Sequence, residues 1–263
     1  GESYGSERAL EVADILSRAP GSSRLAGIVM LSQTVVSEGD LHDKGLSVAT
    51  GLPTLAATAC YHRLAGKVQK EPLACAERAI PFALNNYRRA LASKGRLPPA
   101  SKAVMLAALT RTTGLPSIVI ARSGLVVTRS QYRQKAMATQ GLRLGIYDSR
   151  VTEPARGPAT WQDASIRPLL AILAPAAQRN AELTLGLTRS PIDGSGYVLF
   201  DPAIHAGWTY AGDPRRRDPE SRVQRLSAVL SRTGARLLIA GGIFDNVGSV
   251  GADALLARQL QGE

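Results

Sequence analysis

The chain lacks any apolar run approaching the roughly 18 residues that a membrane-spanning helix requires, so no transmembrane segment is predicted. Cysteine is scarce. Cys60 and Cys75 lie in helix-like sequence, with neither metal-ligand spacing nor the density of a disulfide scaffold, and two buried thiols are the simplest expectation. Aromatic residues are few as well, and three Phe supply little stacking surface for bases. The formal charge of +11, from 32 Lys and Arg against 21 Asp and Glu, therefore reads as a basic, solvated surface. Basic residues are scattered, only Arg215, Arg216 and Arg217 form a tight run, and no aromatic-basic interleaving of the RNA-binding type occurs. Neither a nucleic acid nor a membrane is expected as a partner, and nothing calls for a metal or an organic cofactor. A starting Met and a charged-then-apolar leader are also absent, so the natural N-terminus is expected to lie upstream.

With 44% apolar and 20% charged residues, the 263-residue sequence is that of an ordinary globular protein with a sizeable core. It reads as a single domain over residues 1–263. A Gly-bracketed turn at residues 1–5 changes at once into residues 7–18, where Ala9, Leu10, Val12, Ala13 and Leu16 recur at helical spacing. Pro20 and Gly21 end that helix, and residues 25–31 form a continuous apolar run of strand length, the pattern of a parallel strand. From about residue 33 to residue 143 the spacing predicts helices over 54–64, 75–93, 101–112 and 130–138, with no apolar strand between them. Such a block suggests a helical cap inserted into an α/β domain. Residues 147–162 read as a loop, and 165–185 as a helix interrupted by Pro168 and Pro175. A helix over 222–232, a second buried strand over 236–240 and a helix over 252–260 complete the pattern.

Gly1-Glu2-Ser3-Tyr4-Gly5 has the spacing of a nucleophile elbow, in which Ser sits on a strained strand-to-helix turn between glycines. Ser3 would project its hydroxyl at the top of the sheet, and the Tyr4 amide would donate to the oxyanion of acyl transfer. The competing reading is a plain helix N-terminus capped by Ser3 or Ser6. A hydroxyl nucleophile needs a base oriented by an acid, in the order Ser, acid, His. Asp245, in the turn after the late strand, has the place of the acid, while Asp253 lies further on in the next helix. The histidines, His42, His62 and His205, all precede Asp245. None occupies the position of the base.

The Glu-Ser-Tyr core of this elbow resembles the nucleophile motif of the serine carboxypeptidases. Leu52-Pro-Thr-Leu-Ala-Ala-Thr-Ala-Cys-Tyr-His62 resembles the Leu-Pro-Thr-Tyr-Ala-Ala-Thr-Ala-Trp-Tyr-His segment of that family's bacterial branch. Leu144-Gly-Ile-Tyr-Asp-Ser-Arg150 is similar to its Gly-Arg-Leu-Asp-x-Arg segment, and Ile239-Ala-Gly-Gly-Ile-Phe-Asp245 to its strand-to-acid turn. The resemblance implies an α/β-hydrolase fold, partial and with a mostly parallel sheet, carrying a cap at about 33–143. It implies a secreted or periplasmic exopeptidase that removes C-terminal residues through an acyl-enzyme, acting on peptides with a free C-terminus. Ser3 is then the nucleophile, Asp245 the orienting acid, Tyr4 an oxyanion donor, and Glu2 part of the network holding the substrate carboxylate. A Glu beside that carboxylate shares a proton with it or repels it, which favours binding at low pH. The alternative for Glu2 is a buried carboxylate satisfied by backbone donors.

The sequence departs from the family where Ile146 replaces Arg, Cys60 replaces Trp, and residues 246–249 replace a more apolar turn. The family's upstream oxyanion segment and its C-terminal Gly-His are not in the chain, so the 263 residues alone are expected to be catalytically incomplete. An esterase or acyltransferase on the same fold, or a non-catalytic binding relative, are the competing expectations.

Overall fold

The computed structural model describes residues 1–19, 25–36, 44–64, 71–93, 96–156, 163–186, 202–207 and 219–262. In chain order these hold α1 (Tyr4–Arg18), β1 (Gly27–Leu31), α2 (Lys44–Tyr61), α3 (Pro72–Pro81), a π-helical stretch Phe82–Tyr87 and α4 (Arg88–Ala92). Then come α5 (Pro99–Thr113), α6 (Ser117–Arg122), α7 (Arg129–Lys135), β2 (Leu142–Leu144), β3 (Thr152–Pro154), α8 (Arg167–Leu185) and α9 (Pro202–Gly207). Last are α10 (Pro219–Thr233), β4 (Arg236–Ala240) and α11 (Val250–Gln261). The protein is a mixed helix-and-sheet structure in which helices predominate.

The main sheet is parallel. β1 pairs with β4 in the register Gly27↔Arg236 to Leu31↔Ala240. On the other side of β1 the first residues of the chain extend the pairing: the Gly1 amino group donates to Val29 O at 2.7 Å, Leu31 N to Gly1 O at 2.9 Å, and Glu2 bridges Leu31 in parallel. Gly1–Glu2, β1 and β4 thus run side by side, with their carboxyl ends on one edge. Successive side chains of a strand face opposite ways. Ile28 and Met30 are buried in a cluster with Leu10 and Ala13 of α1, Val223, Leu226 and Val229 of α10, and Leu256 of α11. The opposite face carries Val29, Leu31 and Leu238, all about half exposed. Among the described residues nothing covers it, whereas parallel strands are ordinarily packed on both faces.

A second core lies in the helical block. Leu52 and Leu55 of α2 are fully buried against Tyr87, Leu109, Ile120, Tyr132 and Leu144. The two phenols pay their polar debts to backbone: Tyr87 Oη donates to Leu125 O at 2.7 Å and accepts from Val127 N, and Tyr132 Oη donates to Thr113 O at 2.9 Å. Burial pushes both hydroxyls well above the ordinary tyrosine range. The short antiparallel pair β2–β3 sits on a buried ionic cluster, in which Arg143 Nε meets Glu153 at 2.7 Å and Arg133 Nη2 meets Asp163 at 3.4 Å. The sheet layer and the helical block meet along α2 and α11. A Cβ on Gly251 would collide with the Thr50 backbone, and Ser249 Oγ donates to Thr50 O at 2.8 Å.

Cys60 and Cys75 are joined in a disulfide that staples α2 to α3. The expectation of two separate thiols is thereby corrected. Packing of α3 along α2 brings the Cα atoms to 6.6 Å, within bridging range, although the 15-residue separation carries no such information in the sequence. No helix among the described residues is long and apolar enough to cross a membrane. Removing the bond should matter for stability: Cys75→Ser is expected to lower the unfolding free energy by about 3 kcal/mol, the scale for a loop of this length. Urea unfolding of wild type, with and without reductant, checks this, and only the unreduced wild type should show the higher midpoint.

Candidate active site

The site is built at the carboxyl edge of the parallel strands, where open α/β sheets present their ligands. Ser3 follows the Gly1–Glu2 strand segment directly and precedes α1, with φ 51° and ψ −127°. A non-glycine residue there is strained. Gly1 is needed for the bend, since a Cβ on it would collide with the Gly5 carbonyl, and Gly5 N closes the turn on Glu2 O at 2.7 Å. The Ser3 side chain makes no capping hydrogen bond, so the plain N-cap reading does not describe it. Ser6 does not cap the helix either. Its hydroxyl donates to Ser3 O at 2.6 Å and accepts from Thr34 N at 3.0 Å.

Three donors converge on the Ser3 carbonyl: Ser6 N, Ser6 Oγ and Thr34 Oγ1, the last at 3.1 Å. The Ser3 amide donates to Leu31 O at 3.0 Å. Behind them Glu7 accepts from Thr34 Oγ1 at 2.8 Å and pairs with Arg222 of α10 at 3.3 Å, both ends being buried. The strained turn is held from the sheet, from α1 and from α10 together.

On the next strand the chain repeats the device. Ser32, immediately after β1, has φ 43°, and its amide donates to Ala240 O at 2.7 Å. Its hydroxyl donates to Asp245 Oδ2 at 3.3 Å, and Asp245 Oδ1 accepts from Val247 N at 2.7 Å. One edge therefore gathers Ser3, Ser32 and Asp245 through adjacent strands. Tyr4 opens α1, which sets its amide at the N-terminal end of that helix. Glu2 is exposed at the same edge, which removes the alternative of a buried Glu satisfied by backbone donors.

A loop from the helical block reaches this edge. Asn246 N donates to Ile146 O at 2.9 Å, Asn246 Nδ2 to Gly145 O at 3.0 Å, and Ser149 N to Phe244 O at 2.9 Å, so residues 145–149 and the acid turn interlock. Asp163 accepts from Ile146 N, and Ser165 Oγ from Tyr147 N at 3.1 Å, tying the loop to the buried ionic cluster. The Tyr147 hydroxyl is pushed up to about 12, first by burial and then by the carboxylates of Asp163, Asp245 and Glu2. It is thus within electrostatic reach of both the elbow and the acid turn. Nearby, Arg150 lies 4.9 Å over the Phe244 ring, and Tyr61 packs edge-on against Phe244.

Asp253, in the first turn of α11, accepts from Gln33 Nε2 at 3.1 Å. Burial, reinforced by the charge of Asp245 and opposed by the Gln33 hydrogen bond, pushes its carboxyl up to about 6. Asp245 is the one hydrogen-bonded to the edge serine.

Among the described residues no base joins this group. His62 Nε2 is 2.7 Å from Ser149 O, a structural bond, while His42 lies outside the described residues and so does the side chain of His205. Among the described residues no histidine is hydrogen-bonded to Ser3 or Asp245, and no cluster of His, Cys, Asp and Glu could hold a metal ion. Ser32, Gln33, Thr34 and Tyr147 join this edge without any motif in the sequence pointing to them as candidates. The signal available for the first three is a polar triplet directly at the end of an apolar parallel strand.

No protein-family model matches the chain, and comparison with curated proteins and with solved structures finds no match either.

The raised Asp253 has a defined pH consequence. The folded state holds its proton up to about pH 6 and the unfolded chain only to about pH 4, so this contribution is full below about 4 and is lost as pH rises to about 6. Asp253→Asn should abolish that loss and leave the variant more stable at neutral pH, by on the order of 2 kcal/mol. Denaturation midpoints measured from pH 4 to pH 8 test it; parallel profiles for both proteins would contradict the assignment.

Proposed function

We propose that the chain is the catalytic-centre portion of a serine carboxypeptidase-like hydrolase with an α/β-hydrolase fold. The observation that carries this reading is the left-handed Ser3 between a parallel strand and a helix, with Asp245 hydrogen-bonded at the same sheet edge. The spatial order Gly1–Glu2, β1, β4, with the acid turn following β4, agrees with the order nucleophile then acid that the fold demands. Helices α2 to α7 make up most of the inserted cap.

In this reading Ser3 Oγ attacks the carbonyl of the last peptide bond, and a histidine base takes the hydroxyl proton and passes it to the leaving amine. The released amino acid departs, and water then hydrolyses the Ser3 ester by the same proton route. Asp245 orients that histidine, its own carboxylate steadied by Val247 N and Ser32 Oγ. The Tyr4 amide stabilises the oxyanion. Glu2 lies near enough to Tyr147 to perturb it, and it receives the substrate carboxylate by sharing a proton with it. The Cys60–Cys75 disulfide supports an oxidising compartment, secreted or periplasmic.

The test uses the complete gene product, assayed for release of the terminal amino acid from an N-blocked dipeptide. Ser3→Ala should abolish release, and Asp245→Asn should lower kcat by roughly 10⁴-fold. A C-terminally amidated peptide should be a poor substrate. Undiminished release by Ser3→Ala would remove this serine from the mechanism, and equal turnover of the amide would remove the carboxypeptidase assignment.

A further inference from the structure

The seventy residues 78–147 contain no Asp or Glu and twelve Lys or Arg. Since the whole chain carries a formal +11, its entire positive excess resides in this one stretch. The stretch folds as the helical block from the end of α3 to the loop after β2. Arg133 and Arg143 are turned inward and meet Glu153 and Asp163, which lie outside the segment. Arg89, Arg96, Lys102, Arg111, Arg122 and Lys135 are exposed. Helices of this kind ordinarily alternate sign to gain pairs one turn apart, and here the segment supplies no partner of opposite charge. With these exposed cations and no carboxylate of its own, the segment favours a polyanion as its complement.

The same block carries an apolar groove of about 360 Å³ between α6 and α7. Its depth is formed by Leu115 and Val127, nearly fully buried, with Val119 and Val126 higher on the walls and Arg122 and Lys135 exposed at the sides. Ile118, next to Val119 on α6, is 56% exposed. The lining holds no aromatic ring, so nucleobases would find no stacking platform there. An aliphatic trough flanked by cations suits an acyl chain below an anionic headgroup, with the long basic side chains reaching up to phosphate.

We propose that the helical block docks peripherally on an anionic phospholipid surface, with the groove between α6 and α7 as its point of insertion and the carboxylate-free helices as its electrostatic footing. The docking is independent of the chemistry at Ser3. It needs no spanning helix, and the sequence-level expectation of no membrane partner rested on the absence of such a span.

Flotation with vesicles tests this, using the 263-residue chain, pure phosphatidylcholine vesicles and vesicles containing about a third phosphatidylglycerol. Binding is expected only with phosphatidylglycerol, and it should weaken strongly in about 0.5 M NaCl. Arg122→Glu combined with Lys135→Glu should reduce it by more than about tenfold. Val119→Asp should weaken it too, whereas Arg18→Glu, exposed on α1 away from the block, should leave it nearly unchanged. Circular dichroism melts establish that each variant is folded. Equal binding to both vesicle types, an equal loss with Arg18→Glu, or a preference for duplex DNA or polyglutamate over vesicles in competition would overturn the proposal.

Discussion

The left-handed backbone at Ser3 is the constraint on which the arrangement of the sheet edge depends. Such a conformation costs on the order of 1–3 kcal/mol in a non-glycine residue and persists only when its surroundings over-determine it. They do so here from three directions. The amide is fixed by Leu31 O, the carbonyl takes three donors, and one of those donors, Thr34, is held by a Glu7–Arg222 pair that binds α1 to α10. Because that pair is buried, loss of either partner would strand a charge, so the elbow inherits the stability of the whole sheet-side core. Ser32 carries the same strain one strand over and hands the geometry on to Asp245.

From the acid turn the constraint passes into the helical block. Asn246 clasps the loop that carries Tyr147, and Asp163 anchors that loop from the far side to Arg133. Ser249 and Gly251, a few residues on, bring α11 against α2 so closely that no side chain fits between them. The close approach of α11 to α2 thereby joins the two cores beside the interlocked acid turn and loop 145–149.

The parts of this structure legible in the sequence are those dictated by local periodicity. The apolar run ending at Leu31 and the one at residues 236–240 are strands because they are short, continuous and bounded by turn residues, and α1 follows from its apolar spacing. The start of α2 was missed by ten residues, since a helix buried on nearly all sides has no amphipathic pattern to announce it, and Pro53 within it suggested a boundary. The pair β2–β3 is three residues a strand and is specified by the buried Arg143–Glu153 contact more than by propensity. Single residues show the same divide. The bend at Ser3 could be read from its flanking glycines, while Tyr147 reaches the site through a loop whose anchors, Asn246 and Asp163, are distant in sequence. The disulfide belongs to the same class of fact, a product of helix packing.

Charge is divided between the two halves in a way that bears on the chemistry. Glu2 and Asp245 lie toward one edge, where burial and, after it, the charge of Asp245 raise the Asp253 carboxyl, while residues 78–147 have no carboxylate at all. On the proposed carboxypeptidase reading, an incoming peptide carboxylate meets repulsion from that edge unless a proton is shared, and acidity supplies the proton. The cations of the helical block act oppositely, drawing anions toward the molecule over a range set by ionic strength. Attraction at long range and a proton requirement at contact are separable in principle, since salt weakens the first and pH governs the second. On the proposed reading, a molecule so divided gathers anions broadly and admits a terminal carboxylate to the serine edge only where protons are plentiful.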